Sequence, residues 1–181
     1  MSGVIGERCK SPHEVWSAAA LGCVLCSFVL ENMTFYRRNL PHIDKPGSTY
    51  YVSFSTKDKL FLPAEARSLI FDHCLFENGK TVQMHAFVVM PDHVHMLFTP
   101  LQKENEQPHT LARIMNGIKG ASAHSVNKLL TREGALWLPE SFDRIVRTSY
   151  GFRNWKLYII GNPITAGLVQ APGEYKWCWQ E

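Results

Sequence analysis

The chain has 181 residues, 45% of them hydrophobic and 19% charged, with a formal net charge of +3. That is enough apolar material for one good core, so a single domain with appendages is expected, and so mild a charge excludes neither nucleic acid nor a small substrate. Five cysteines, Cys9, Cys23, Cys26, Cys74 and Cys178, are odd in number and irregularly spaced, which excludes a disulfide framework and points to a reducing compartment.

Val15 to Leu30 is uncharged and mostly apolar, bounded by Glu14 and Glu31. It falls short of the roughly 20 residues that cross a bilayer. Glu14 abuts the run and Val29-Leu30-Glu31 is no small-residue cleavage site, so neither a membrane span nor a signal peptide is expected. Cys23 and Cys26 form a lone CxxC inside it, a weak basis for zinc or redox chemistry. Residues 1–33 are expected to be an N-terminal extension ahead of a true start at Met33, or else a short helix packed on the domain. Residues 34–181 are expected to be the functional domain.

From Tyr36 to His42, and through Lys45-Pro46-Gly47, a basic arm is broken by prolines and cannot stay regular for long. It serves either as a solvated lead-in or as an arm that touches a nucleic-acid strand. Thr49 to Ser55 is aromatic and β-branched, which predicts the first core strand. Pro63 opens a helical segment with Ala66, Leu69, Ile70, His73 and Cys74 at three- and four-residue steps, and Asn78-Gly79 stops it. Two strands follow, Thr81 to Met90 and His93 to Pro100, joined by a turn at Pro91-Asp92.

A polar loop, Gln102 to His109, leads to a second amphipathic helix carrying Leu111, Ile114, Met115, Ile118, Val126 and Leu130. Its cations Arg113, Lys119 and Lys128 form a wet face or meet phosphates. Ser141 to Arg147 predicts a fourth strand, and a last helix from about Ser149 puts Phe152, Trp155, Tyr158 and Ile159 on one stripe. The order strand, helix, strand, strand, helix, strand predicts an α+β, ferredoxin-like βαββαβ antiparallel sheet with helices on one face. A further C-terminal helix then carries Tyr158.

The chemistry gathers on a few residues. Alternation along a strand sends His93 and His95 to one face and Val94, Met96 and Phe98 to the other. Two imidazoles on one face can share an ion, although two ligands alone make a poor metal site. Asp92, the nearest acid in sequence, is pointed away by the same alternation and is read as a turn residue. Tyr158 and Asn162 are four apart and share a face on a continuous helix. An amide oxygen beside two imidazoles gives a mixed N/O set with open positions, better suited to Mg²⁺ or Mn²⁺ than to a structural zinc. Two bland readings compete: Asn162 as the N-cap of a new helix opened by Pro163, and Tyr158 as core packing beside Trp155 and Ile159.

His93-Val94-His95, the run from Glu140 to Arg147, and the stretch Tyr158 to Val169 with Gly161-Asn162-Pro163 together resemble the REP-associated tyrosine transposases. These are domesticated relatives of the HUH single-strand transposases of insertion sequences. The arm around Tyr36 to His42 resembles the start of that family, so the likeness runs over roughly residues 35 to 180. It implies that His93, His95 and Asn162 hold Mg²⁺ or Mn²⁺, and that Tyr158 attacks single-stranded DNA. The tyrosine is then joined to the 5′ phosphate and a 3′ hydroxyl is left free. The implied partner is single-stranded DNA with REP-type hairpins, handled by a bacterial cytoplasmic monomer or homodimer with no membrane association.

Arg37, Arg38, Lys45, Arg113, Lys119, Arg144, Arg147 and Arg153 are the candidates for backbone contact, which positions DNA without reading it. A ferredoxin-like nucleic-acid-binding module with vestigial catalytic residues, and a small-phosphoester hydrolase using the histidines alone, are the competing functions.

Overall fold

A computed structural model describes residues 34–37, 41–45, 47–102 and 109–181, with side chains from Lys45 onward. The chain divides into Met1–Glu31 and Asn32–Glu181, and only the second unit is described below. The N-terminal extension and its CxxC lie outside the described residues.

The core runs β3 (Thr49–Ser55), α1 (Ala64–Glu77), β4 (Val82–Val89), β5 (His93–Pro100), α2 (Leu111–Leu129), β6 (Phe142–Val146) and α3 (Ser149–Thr165). Before it stand β1 (Thr34–Arg37) and β2 (Pro41–Asp44), which pair with each other, and after it comes β7 (Cys178–Gln180). The arm expected to be irregular is thus in part a short hairpin. The main sheet has the order β6-β3-β5-β4-β7 and is antiparallel throughout. Its first four strands are the βαββαβ arrangement expected from the sequence, and β7 is an addition at the edge.

Each strand divides its side chains between two layers. Tyr50, Val52, Phe54, Val94, Met96 and Phe98 face the layer of α1 and α2, where they meet Ala66, Ile70, Ile114 and Ile118. Tyr51, Val88 and Leu97 face α3 and pack on Ile159, Phe152 and Trp155. Two helices therefore cover one face of the sheet and the tyrosine-bearing helix covers the other. Strand β4 serves both layers through a bulge between Met84 and Ala86. Ahead of it Val82 and Met84 face α1 and α2; beyond it Ala86 and Val88 turn to α3.

The helices start where the sequence gives a cap. Thr110 accepts from Arg113 N at the start of α2, and Thr148 accepts from Gly151 N at the start of α3. Gly79, with φ of +76°, takes the left-handed turn after α1. Burial pushes the Cys74 thiol up to about 12 and the Cys178 thiol up to about 11, so neither is a ready thiolate.

Phe87 is fully buried, tilted against Phe71 at 4.9 Å and stacked on Trp179 of β7 at 5.9 Å. Phe87→Ala is expected to cost about 3–5 kcal/mol of unfolding free energy, measured by urea denaturation. A loss under about 1 kcal/mol would mean that β7 does not close this part of the core.

Candidate active site

The site is built where β5 and β3 pass beneath α3. In the pairing, Ser53 stands opposite both His95 and Phe142, and Tyr51 stands opposite both Leu97 and Arg144. Directly paired residues share a sheet face. His95, Ser53, Phe142, Tyr51 and Arg144 therefore all lie on the α3 side.

His93 and His95 bring their rings to 4.7 Å, edge to face. From α3 the half-buried Tyr158 presents its ring at 5.4 Å from His95 of the same chain. Trp155, one turn earlier, stacks on Tyr51 at 3.8 Å and meets Tyr158 edge-on at 5.7 Å.

Both imidazoles are anchored through Nδ1. His93 Nδ1 donates to the Asp92 carboxylate at 2.5 Å, and His95 Nδ1 is hydrogen-bonded to Tyr51 Oη at 2.7 Å. Nε2 is then the nitrogen each ring would offer a cation, with Nδ1 fixing orientation and tautomer. Burial pushes the Tyr51 phenol well above the ordinary tyrosine range, and the neighbouring Tyr158 hydroxyl adds to this. Burial thus favours the neutral hydroxyl of Tyr51.

Asp92 corrects the sequence reading. It lies in the turn, outside the strand whose alternation was applied to it, so its carboxylate swings back onto His93. Tyr51 and Asp92 are the two supporting residues that sequence reasoning missed. The signal for Asp92 was its adjacency to a histidine at a turn. For Tyr51 there was none without knowing the strand pairing.

Asn162 is not a cap, because α3 runs unbroken through Asn162 and Pro163 to Thr165. Pro163 has no N–H to offer the Ile159 carbonyl and its ring crowds that oxygen. One turn beyond Tyr158, Asn162 donates Nδ2 to the Tyr158 carbonyl at 2.8 Å rather than reaching an imidazole. Its Oδ1 is the atom that would face a cation.

Among the described residues, no group of three or more His, Cys, Asp and Glu side chains is arranged to hold a metal ion. Any cation here would have two imidazoles and would complete its shell with an amide oxygen, water and substrate. That donor set fits Mg²⁺ or Mn²⁺ with open positions and does not fit a closed zinc centre.

The basic candidates divide by layer. Arg144, Arg147 and Arg153 are exposed on the α3 side. Arg147 and Arg153 line a cleft of about 510 Å³ at the start of α3, together with Lys156, Thr148 and Ser149. Arg113 and Lys119 lie on α2, across the sheet from the histidines. Lys119 Nζ donates to Leu138 O, Pro139 O and Ser141 Oγ, so it ties the β6 approach to α2. Lys45 is exposed, and its backbone nitrogen and carbonyl both bond the Tyr50 hydroxyl. Arg38 and the side chain of Arg37 lie outside the described residues.

Residues 70–159 match the family described as IS200-like transposases, a stretch that includes His93, His95 and Tyr158. The chain belongs to the IS200-like transposase family. A solved REP-associated tyrosine transposase bound to a REP hairpin superimposes with a TM-score of 0.62 at 18% identity, over 81% of this chain and 82% of that one. It shows that the transposase has that fold. A crystal structure from Deinococcus radiodurans R1, also described as a transposase, matches at 20% identity over 68% of this chain and 94% of that one. Its TM-score of 0.42 is too low to bear on the fold. No curated protein matches the chain. No helix among the described residues of the transposase is long and apolar enough to cross a membrane.

Proposed function

We propose that this transposase is a metal-dependent nuclease and strand transferase for single-stranded DNA with hairpins of the REP type, using Tyr158 as nucleophile. The observation that carries the reading is the meeting of His93, His95 and Tyr158 in one chain, with ring separations of 4.7 and 5.4 Å. An ordinary core tyrosine would not be half-exposed against a pair of anchored imidazoles.

His93, His95 and Asn162 would hold Mg²⁺ or Mn²⁺. Bound there, the ion would supply charge to the non-bridging phosphate oxygen where negative charge grows in the transition state. The chain's own residues do the rest. A phenol with pKa near 10 is only about 0.1% ionised at pH 7, so Tyr158 must lose its proton as it attacks. Its oxygen bonds to phosphorus, the bond from phosphorus to the 3′ oxygen breaks, and that oxygen takes up a proton. The product is a 5′-phosphotyrosine and a 3′ hydroxyl. The linkage keeps the phosphodiester's energy, so the step can run backwards and rejoin a strand.

With a cation held at Nε2, His95 Nδ1 would carry the proton and donate to Tyr51 Oη. Arg144, Arg147 and Arg153 are placed to neutralise backbone phosphates on the same face. Since Tyr158 stands over its own chain's His95, a monomer holds all the groups the reaction needs, and a homodimer is not required.

The test incubates the protein with a labelled hairpin oligonucleotide and Mn²⁺, followed by denaturing electrophoresis. A covalent protein–DNA band supports the reading. Binding without an adduct would leave a nucleic-acid-binding module. Cleavage that survives Tyr158→Phe would leave a phosphoesterase working from the histidines alone.

Tyr51→Phe keeps the stack on Trp155 and removes the hydroxyl that bonds His95 and also meets Ser53 and Tyr158. Mn²⁺ affinity is expected to fall about 10–100-fold by calorimetry, the usual cost of losing such an orienting partner. An unchanged affinity would remove Tyr51 from the metal's support.

A further inference from the structure

The segment from Thr56 to Leu62, between β3 and α1, holds two adjacent residues in the left-handed region. Asp58 has φ of 57° and Lys59 has φ of 52°. Residues with a Cβ rarely take this conformation, and the usual solution is glycine. Neither position has one.

The inner side of this segment is bonded to the histidine hairpin. Thr56 N donates to Asp92 O at 2.8 Å, and Leu62 N donates to Pro91 O at 2.6 Å. Thr56 Oγ1, in a residue that is 1% exposed, lies within bonding distance of both Asp92 O and Leu60 O. On the far side Lys57 N donates to Leu136 O at 2.7 Å. The backbone of the loop is therefore fixed to the same turn whose Asp92 carboxylate holds His93.

Its outer side is bare. Leu62 is fully buried, which turns Phe61 outward, and Phe61 is 67% exposed. Lys57, Asp58 and Lys59 are exposed beside it. Two lysines against one aspartate leave the loop with one net positive charge. An aromatic ring held in water by a strained, well-anchored loop adds nothing to the fold. Strain of this kind gathers where a chain meets a ligand.

We propose that this loop is a stacking platform for an unpaired base of the substrate strand, next to the phosphate presented to His93 and His95. Phe61 takes the face of the base and Lys57 and Lys59 take the flanking phosphates. Every base has a π-face, so the platform grips single-stranded DNA without reading its sequence. Duplex DNA, with its bases paired and stacked, has no free face to offer. The inference rests on the reading of the site as one for single-stranded DNA, and it adds where the strand leaves that site.

The test measures binding without cleavage, so the two readings fail separately. The full chain is titrated, in EDTA, into a single-stranded oligonucleotide carrying 2-aminopurine beside the cleavage position, with anisotropy and base fluorescence read together. Phe61→Ala is expected to raise Kd about 5–100-fold, the range for one lost base stack, and to abolish the fluorescence quenching. Phe61→Trp should restore both. Lys57→Ala with Lys59→Ala should lower the slope of log Kd against log salt by about 1.4, at roughly 0.7 per single-strand phosphate contact.

Melting curves should be unchanged in every variant, because the replaced side chains are exposed. Unchanged affinity and quenching in Phe61→Ala would overturn the proposal. So would a variant that binds DNA normally but changes from dimer to monomer in sedimentation, which would assign Phe61 to a second copy of the chain. A wild-type protein that binds and quenches yet forms no adduct would sink the nuclease and leave the platform standing.

Discussion

Tyr158→Phe is expected to lower hairpin cleavage by about three orders of magnitude or more, a loss of ~4 kcal/mol in barrier lowering, and to eliminate the covalent adduct. The substitution deletes one oxygen and leaves the ring contacts with His95, Tyr51 and Trp155 in place. Tyr158 is half-buried and its hydroxyl meets Tyr51, so the melting temperature should fall only by the worth of one hydrogen bond, about 1 kcal/mol. DNA affinity should hold, which separates a missing nucleophile from a missing surface. The measurement is a single-turnover time course with Mn²⁺, scored on both the nicked strand and the protein-linked strand. Residual adduct in the variant would assign the nucleophile to another residue.

His95→Ala should lose as much activity by a different route. The ring is only 6% exposed and touches His93, Tyr51 and Tyr158 at once. Its removal halves the imidazole donors and takes from Tyr51 Oη its bond to the ring, at a folding cost of about 1–3 kcal/mol for the lost hydrogen bond and packing. Calorimetry should show no Mn²⁺ heat in the variant. Cleavage should fall about 100-fold or more, since a single imidazole cannot keep the ion in place. Added imidazole should restore part of the cleavage, an effect that a general folding defect would not show. If His95→Ala bound Mn²⁺ like the wild type, the histidine pair would not be a metal site.

Much of this architecture can be read along the chain because its signals are local. Strand β5 begins at His93 and ends at Pro100 as alternation predicts, and the last helix begins at Ser149 where its apolar stripe puts it. What escaped the sequence depends on distant partners. Strand β7 is three residues of Cys-Trp-Gln that become a strand only by pairing with β4. The bulge beside His85 depends on β5 having no residue to match it. Tyr51 gains its role from a cross-strand neighbour 44 positions away. The approach of Tyr158 to the histidines is likewise invisible to spacing, and only the family resemblance brought those residues together beforehand.

The offset in β4 acts as a switch of allegiance partway along a single strand. Up to Met84 it is Val82 and Met84 that answer to the two-helix layer, and from Ala86 onward Phe87 and Val89 take over that side while Ala86 and Val88 meet the layer that holds the tyrosine. Were His85 drawn into the ladder opposite Leu97 instead of bulging out, every residue beyond it would move to the opposite side. Phe87 would then stand against Tyr158's helix, where Ala86 and Val88 now lie. The unmatched residue thus decides which side chains reach the reacting layer, and that layer keeps its shape because the irregularity holds His85 out of the ladder.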